Sequence, residues 1–260
     1  MCSENQFDRY IKENFVKKVV ALLGTKRKIN TYNILLQIKE LLKDKDISLE
    51  IVELYNYNIK DCIGCEYCIN NGSCVVNDDT EKVMKILSNA DGIILASPVY
   101  LQQVSGKIKT FIDRTCSWYH RPILDSKPIL SVSTTKGSGL KATLSYLENV
   151  GVQWGGLRGG KLGRSIFNID KPIKYKELSK FTSLLDNPKR YSPSLSELIA
   201  FEVQKSLAIF MRNLDFDYWK KMGWTEKAYF YDCRLNPLKK SISGLMGYSM
   251  RKGMSKRDKF

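Results

Sequence analysis

No stretch of this 260-residue sequence approaches the roughly 18 to 20 consecutive apolar residues that a membrane-spanning helix needs. Nor does the polar, acid-bearing opening "MCSENQFDRYIKENF" hold an apolar core of the secretory type, so the expectation is a cytoplasmic, reducing location. There is no internal repeat, no low-complexity linker, and no zinc-finger spacing or RNA-binding signature, which argues against a nucleic-acid partner. The dinucleotide fingerprint G-x-G-x-x-G is also missing. Histidine occurs once, as His120, and beside Trp118 and Tyr119 it reads as a packing or surface residue rather than a catalyst. Acid is scarce relative to base: the net charge is +15, and residues 161–260 carry 21 Lys and Arg against 10 Asp and Glu. A basic end of this kind suits an acidic protein, nucleic acid or anionic lipid, and equally a solvated surface.

Seven cysteines are present, and four fall within "DCIGCEYCINNGSC": Cys62, Cys65, Cys68 and Cys74. In a reducing compartment they point to metal or redox use rather than disulfides. Three cysteines at x2 intervals wrap closely around one site, as a cubane cluster requires, with the fourth arriving from a nearby turn. Gly64 and Gly72 supply the backbone freedom for such a wrap. Structural zinc more often uses two separated C-x2-C knuckles, and a C-x-x-C redox pair would leave two neighbouring thiols without a role. Cys2, Cys116 and Cys233 are scattered and read as structural or incidental.

Around this segment, apolar β-rich runs alternate with helical patterns. Strands are expected at 17–23, 47–54, 92–100, 127–135 and 159–167, with helices at 31–45, 78–90, 106–119 and 139–151. Asn30 or Thr31 would cap the first helix. Five such alternations imply an α/β fold with a doubly wound, five-stranded parallel sheet, because parallel strands need crossover connections. Beyond residue 168 the pattern turns helical, with a capping-box start at Ser194 and Glu197. The expected organisation is an N-terminal extension (1–16), a sheet domain (17–168) and a basic helical extension (169–260). The helix at 194–213 carries more apolar surface than one contact face needs, which implies a homo-oligomer, a dimer or tetramer.

Three loops would meet beyond the carboxyl ends of the strands, where open α/β sheets bind ligands. "GTKRKINT" offers Thr25, Arg27, Asn30 and Thr31 at a helix start, which suits a phosphate. "SPVYL" presents Pro98, Val99, Tyr100 and Leu101, and "TTKGSG" lets the backbone of Thr134, Thr135, Lys136 and Gly137 approach a ligand.

On "GTKRKINT", "SPVYLQQVSGKIKTFIDRT", "TTKGSG" and the cysteine segment, the sequence resembles the NAD(P)H-dependent FMN reductases of flavodoxin-like fold, more narrowly the iron–sulfur flavoproteins. The resemblance covers about residues 17–168; its first loop is one residue shorter than the usual form and has Lys26 where proline is common. It implies FMN as cofactor, with Thr25, Arg27, Asn30 and Thr31 on the phosphate. Pro98, Val99, Tyr100 and Leu101 would line the ring, and Thr134, Thr135, Lys136 and Gly137 its pyrimidine side. It further implies Cys62, Cys65, Cys68 and Cys74 as [4Fe–4S] ligands, NAD(P)H as co-substrate and a ferredoxin-like acidic redox protein as acceptor. The alternatives are a clusterless flavin or quinone reductase, an electron carrier without nicotinamide turnover, and a zinc-holding module.

Overall fold

The computed structural model describes residues 16–257. The expected N-terminal extension, with Cys2, lies outside the described residues apart from Val16. Five strands, β1 (Lys17–Leu23), β2 (Ile47–Glu53), β3 (Gly92–Pro98), β4 (Pro128–Thr135) and β5 (Leu157–Ser165), form one parallel sheet in the order β2-β1-β3-β4-β5. This is the doubly wound, flavodoxin-like α/β arrangement, and strand order reverses between β1 and β3. β1, β3 and β4 are almost wholly buried because helices cover both faces, which is why their sequences read as unbroken apolar runs.

Alternate residues of the strands feed two cores. Val20, Leu22, Ile93 and Leu95 face α3 (Thr80–Ser88), α4 (Gly106–Arg114), α5 (Cys116–His120) and α6 (Leu140–Gln153). Val19, Ala21, Ile94 and Ala96 face α1 (Asn30–Lys43) and α7 (Ser179–Asp186). The sheet unit therefore continues past residue 168: Phe181 and Leu185 of α7 lie against Gly92, where any Cβ would come within 2.7 Å of Leu185. Without α7, Gly92 and the part of that face beneath Phe181 and Leu185 would be open to water.

Several element boundaries differ from expectation. The helix expected at 106–119 breaks into α4 and α5 at Thr115, whose hydroxyl donates to the Ile112 carbonyl at 2.6 Å and accepts from the Trp154 indole at 3.0 Å. β5 begins two residues early because the Leu157 amide already bonds to the Lys127 carbonyl at 2.8 Å. The cysteine segment, which lies between the strand expected at 47–54 and the helix expected at 78–90, contains one short helix, α2 (Tyr67–Asn71), entered through Glu66 and left through Gly72, both at positive φ.

The rest of the extension builds its own core. α8 (Leu195–Met211) opens on the Ser194–Glu197 capping box and packs with α9 (Leu214–Lys221) through Phe201, Trp219, Trp224 and Phe230. α10 (Pro237–Arg257) lies along α8, with Gly247 against the Glu202 carboxylate and Arg251 donating to it at 2.9 Å. Among the described residues, no helix is long and apolar enough to cross a membrane.

Candidate functional site

Loops from the carboxyl ends of β1, β3 and β4 enclose an open cavity of about 270 Å³. Ten of the twelve expected flavin-site residues line it: Thr25, Arg27, Asn30, Thr31, Pro98, Val99, Tyr100, Thr134, Thr135 and Lys136, joined by Ile29. α1 starts here, but with Ile29 in the cap position and no side-chain cap. Thr31 does not cap the helix because its hydroxyl bonds across the cavity to that of Thr134 at 2.7 Å, tying the first loop to the third. The helix end thus keeps free amides with no acid in its first turn, the electrostatic setting that favours a phosphate.

Leu101 and Gly137 stand outside the cavity. Tyr100 and Gln103 exchange backbone hydrogen bonds across a tight turn, which holds Leu101 and Gln102 at φ of 46° and 72°. Non-glycine residues in this region carry strain. The turn swings Leu101 fully into solvent while Tyr100 stays on the rim, half exposed. Gly137 turns its amide inward onto the Thr135 hydroxyl at 3.1 Å, so that donor is already used. Gly139, at φ 87°, brings the third loop onto the second: a Cβ there would lie 2.8 Å from the Gln102 Cα.

An uncapped helix end, the buried residues Thr25, Thr31 and Thr134 and the half-exposed ring of Tyr100 form a set of groups that fits a phosphate joined to a flat ring system such as FMN.

The cysteines leave from the end of β2, on the same edge of the sheet. Cys62, Cys65, Cys68 and Cys74 line one cavity of about 230 Å³, and Cys116 of α5 lines it with them. Cys62 and Cys65 are exposed; Cys68 and Cys74 are half-buried. Cys116 lies against Cys68, and burial, with the neighbouring thiols, pushes both thiols up, Cys116 to about 11. Among the described residues, no three His, Cys, Asp or Glu side chains converge to hold a metal ion. The donor set nevertheless suits soft iron–sulfur chemistry, with five thiols around one cavity and only Glu66 and Asp113 as carboxylate neighbours.

Two arginines that sequence reasoning passed over hold this segment. Arg114, at the end of α4, donates to the carbonyls of Lys60 and Val76, each at 2.9 Å, and to the Cys74 sulfur at 3.4 Å. It also forms a buried ion pair with Asp78. Burial alone would raise the Asp78 carboxyl, but the guanidinium and the Lys60 and Thr80 amides hold it down at about 2. Arg121 donates to the carbonyls of Ile69 and Cys68 and pairs with Asp215 of α9, which also meets His120 Nδ1 at 3.0 Å. His120 is therefore a packing residue between α5 and the extension. Nothing local marks Cys116, Arg114 or Arg121; only the fold carries them to the cysteines.

The sequence profile of the NADPH-dependent FMN reductases matches residues 17–171, the stretch that contains the sheet and both cavities. The chain belongs to that family. This FMN reductase family member is also 30% identical over 228 residues to an iron-sulfur flavoprotein of Archaeoglobus fulgidus, spanning 80% of this chain and 99% of that one. An iron-sulfur flavoprotein of Clostridioides difficile is 29% identical over 185 residues, 68% of this chain and 80% of that one. Among solved structures, RosB with a bound riboflavin-phosphate intermediate superposes with a TM-score of 0.52 at 12% identity, over 85% of this chain and 92% of that one, a likeness of fold. By family, this reductase is a flavin-dependent oxidoreductase that uses FMN and NADPH.

Proposed function

We propose that the chain takes a hydride from a nicotinamide cofactor onto FMN held in the β1–β3–β4 cavity, and passes electrons through a [4Fe–4S] cluster held by Cys62, Cys65, Cys68 and Cys74. The observation that carries this reading is proximity in the fold: the cysteine segment follows β2, whose carboxyl end lies on the flavin cavity's edge of the sheet, and α4, which follows the Pro98–Tyr100 loop of the first cavity, ends with Asp113 and Arg114 in the wall of the second. Its nine residues make it about 13 Å long. When bound, FMN accepts electrons in pairs and releases them singly, which suits a one-electron cluster beside it.

The protein's own part is placement and electrostatics. The uncapped start of α1 and Arg27 would take the phosphate; the strained turn at Leu101 and Gln102 sets Tyr100 at the ring's edge. Lys136, exposed on the third loop, would face negative charge on the pyrimidine side. Arg114 gives the Cys74 sulfur a cationic hydrogen-bond donor, and Arg121 fixes the backbone at Cys68 and Ile69. The electrons' destination fits an acidic redox protein, given the +15 net charge. Outward-facing Leu238, Leu245 and Tyr248 of α10, each more than 60% exposed, supply a surface for a second copy.

The test is anaerobic mixing of the flavin-loaded protein with NADPH or NADH while flavin absorbance is followed. Stoichiometric bleaching is expected; an oxidised spectrum that persists with both nucleotides would reduce the protein to a carrier charged by another donor.

A further inference from the structure

One further cavity is neither of these two. A cleft of about 600 Å³ lies between α3, α5, α9 and the end of the cysteine segment. Helix α3 contributes Thr80, Glu81, Met84, Lys85 and Ser88, one face of the helix, and α9 contributes Leu214, Asp217, Tyr218 and Lys221, again one face. The extension therefore supplies one wall, and a chain ending after β5 would have no such cleft.

Its chemistry is specific. Trp118, Met84, Ile123, Leu214 and the ring of Tyr218 make most of the surface apolar and partly aromatic. The Tyr218 hydroxyl is engaged with the Pro122 carbonyl at 2.8 Å, and Trp118 is locked edge-on against Trp154, so both rings are held in place. One wall residue carries a buried polar atom without a hydrogen-bond partner, Arg114 at Nε. Arg114 is 4% exposed. An arginine Nε can only donate, so its complement is an acceptor oxygen. Lys85 and Lys221 also line the cleft, alongside Glu81 and Asp217. Finally, Cys74 and Arg114 line both this cleft and the cysteine cavity, so the two share a wall.

We infer that the cleft is a second small-molecule site that takes a planar, multi-ring aromatic compound carrying carbonyl oxygens. Ring faces and edges account for Trp118, Tyr218 and Met84, which favour aromatic partners over an aliphatic chain. A carbonyl oxygen answers the Arg114 donor in the wall. A cavity of this volume, mostly apolar with a few convergent polar groups, has the character of ligand sites generally. The inference concerns binding and stands apart from the flavin reading, since none of its contacts belongs to the flavin cavity, while Cys74 and Arg114 are shared with the cysteine cavity.

The test is calorimetric titration of the purified protein with anthraquinone-2-sulfonate. Ile123→Trp and Leu214→Trp would narrow the cleft; both side chains are more than one-third exposed, and circular dichroism and thermal melting confirm that each variant folds. Tyr100→Ala alters only the flavin cavity. One site per chain is expected, weakened about tenfold or more by each tryptophan, a loss of ~1.4 kcal/mol, and unchanged by Tyr100→Ala. Absence of binding at millimolar probe would overturn the assignment. So would unchanged affinity in both tryptophan variants, or a loss confined to Tyr100→Ala, which would place the probe in the flavin cavity.

Discussion

Replacing Arg114 with methionine removes the cation of a pair in which both side chains are only 1% exposed. Asp78 would keep the amides of Lys60 and Thr80, each at 2.8 Å, but would face a buried site with no counter-charge. Breaking one side of such a pair costs about 3–5 kcal/mol. The titration of Asp78 supplies an independent scale. A carboxyl that falls from 3.8 to about 2 on folding contributes roughly 2.4 kcal/mol. The sign follows from the direction: the folded value is depressed, so this stabilisation is complete above about pH 4 and is lost as pH falls toward 2. The larger mutational figure is the one to expect near neutrality, because Arg114→Met also leaves the Lys60 and Val76 carbonyls without their donor. Urea unfolding at pH 7 should show the 3–5 kcal/mol loss, with part of it recovered in the Arg114→Met/Asp78→Asn double variant, which has no orphaned charge. Wild type should lose about 2 kcal/mol between pH 4 and 2 that Asp78→Asn does not. Amide exchange in residues 60–78 should accelerate ahead of the sheet, since Arg114 ties both ends of that segment. A loss below about 1 kcal/mol, the range of an exposed pair, or unchanged exchange in the segment would refute the clamp.

Thr31→Glu places a carboxylate at the uncapped start of α1 and breaks the bond to Thr134, so FMN affinity should collapse; fluorescence titration that returns wild-type affinity would refute the phosphate assignment. Anaerobically purified wild type should hold about four irons and four sulfides per chain, and Cys68→Ala far fewer, while Cys116→Ser keeps them because the motif supplies four ligands. Zinc in wild type, or no metal after reconstitution, would remove the cluster from the scheme. Light scattering should give a mass above the 29.9 kDa of one chain, and Leu238→Glu with Leu245→Glu should return the monomer; a monomer in wild type at micromolar concentration would count against α10 as the interface.

The strands and the helices between them were legible from local pattern, because a buried parallel strand such as "VVALL" has no polar side to disguise it. That the three loops beyond β1, β3 and β4 meet at one cavity was legible as well, since short hydroxyl residues, a strand-ending proline and glycines occur where strand ends must be. Local pattern could not reveal that Leu101 would turn outward, because that depends on the hydrogen bonds between Tyr100 and Gln103 that close the turn. Nor could it show that α7 belongs to the sheet, since the faces of β3 and β4 say only that they need a cover and not which segment supplies it.

The sequence by itself determined the alternation of elements, the parallel sheet and the cysteine spacing, all properties set by residues within a turn or two of one another. Tertiary structure alone decided that Cys116 joins the four motif thiols, that Arg114 and Arg121 hold their segment, and that α9 closes a third cavity against α3. Those contacts join residues tens of positions apart. Their partners are chosen by where the packed sheet and helices bring side chains together, and no short-range periodicity carries that information.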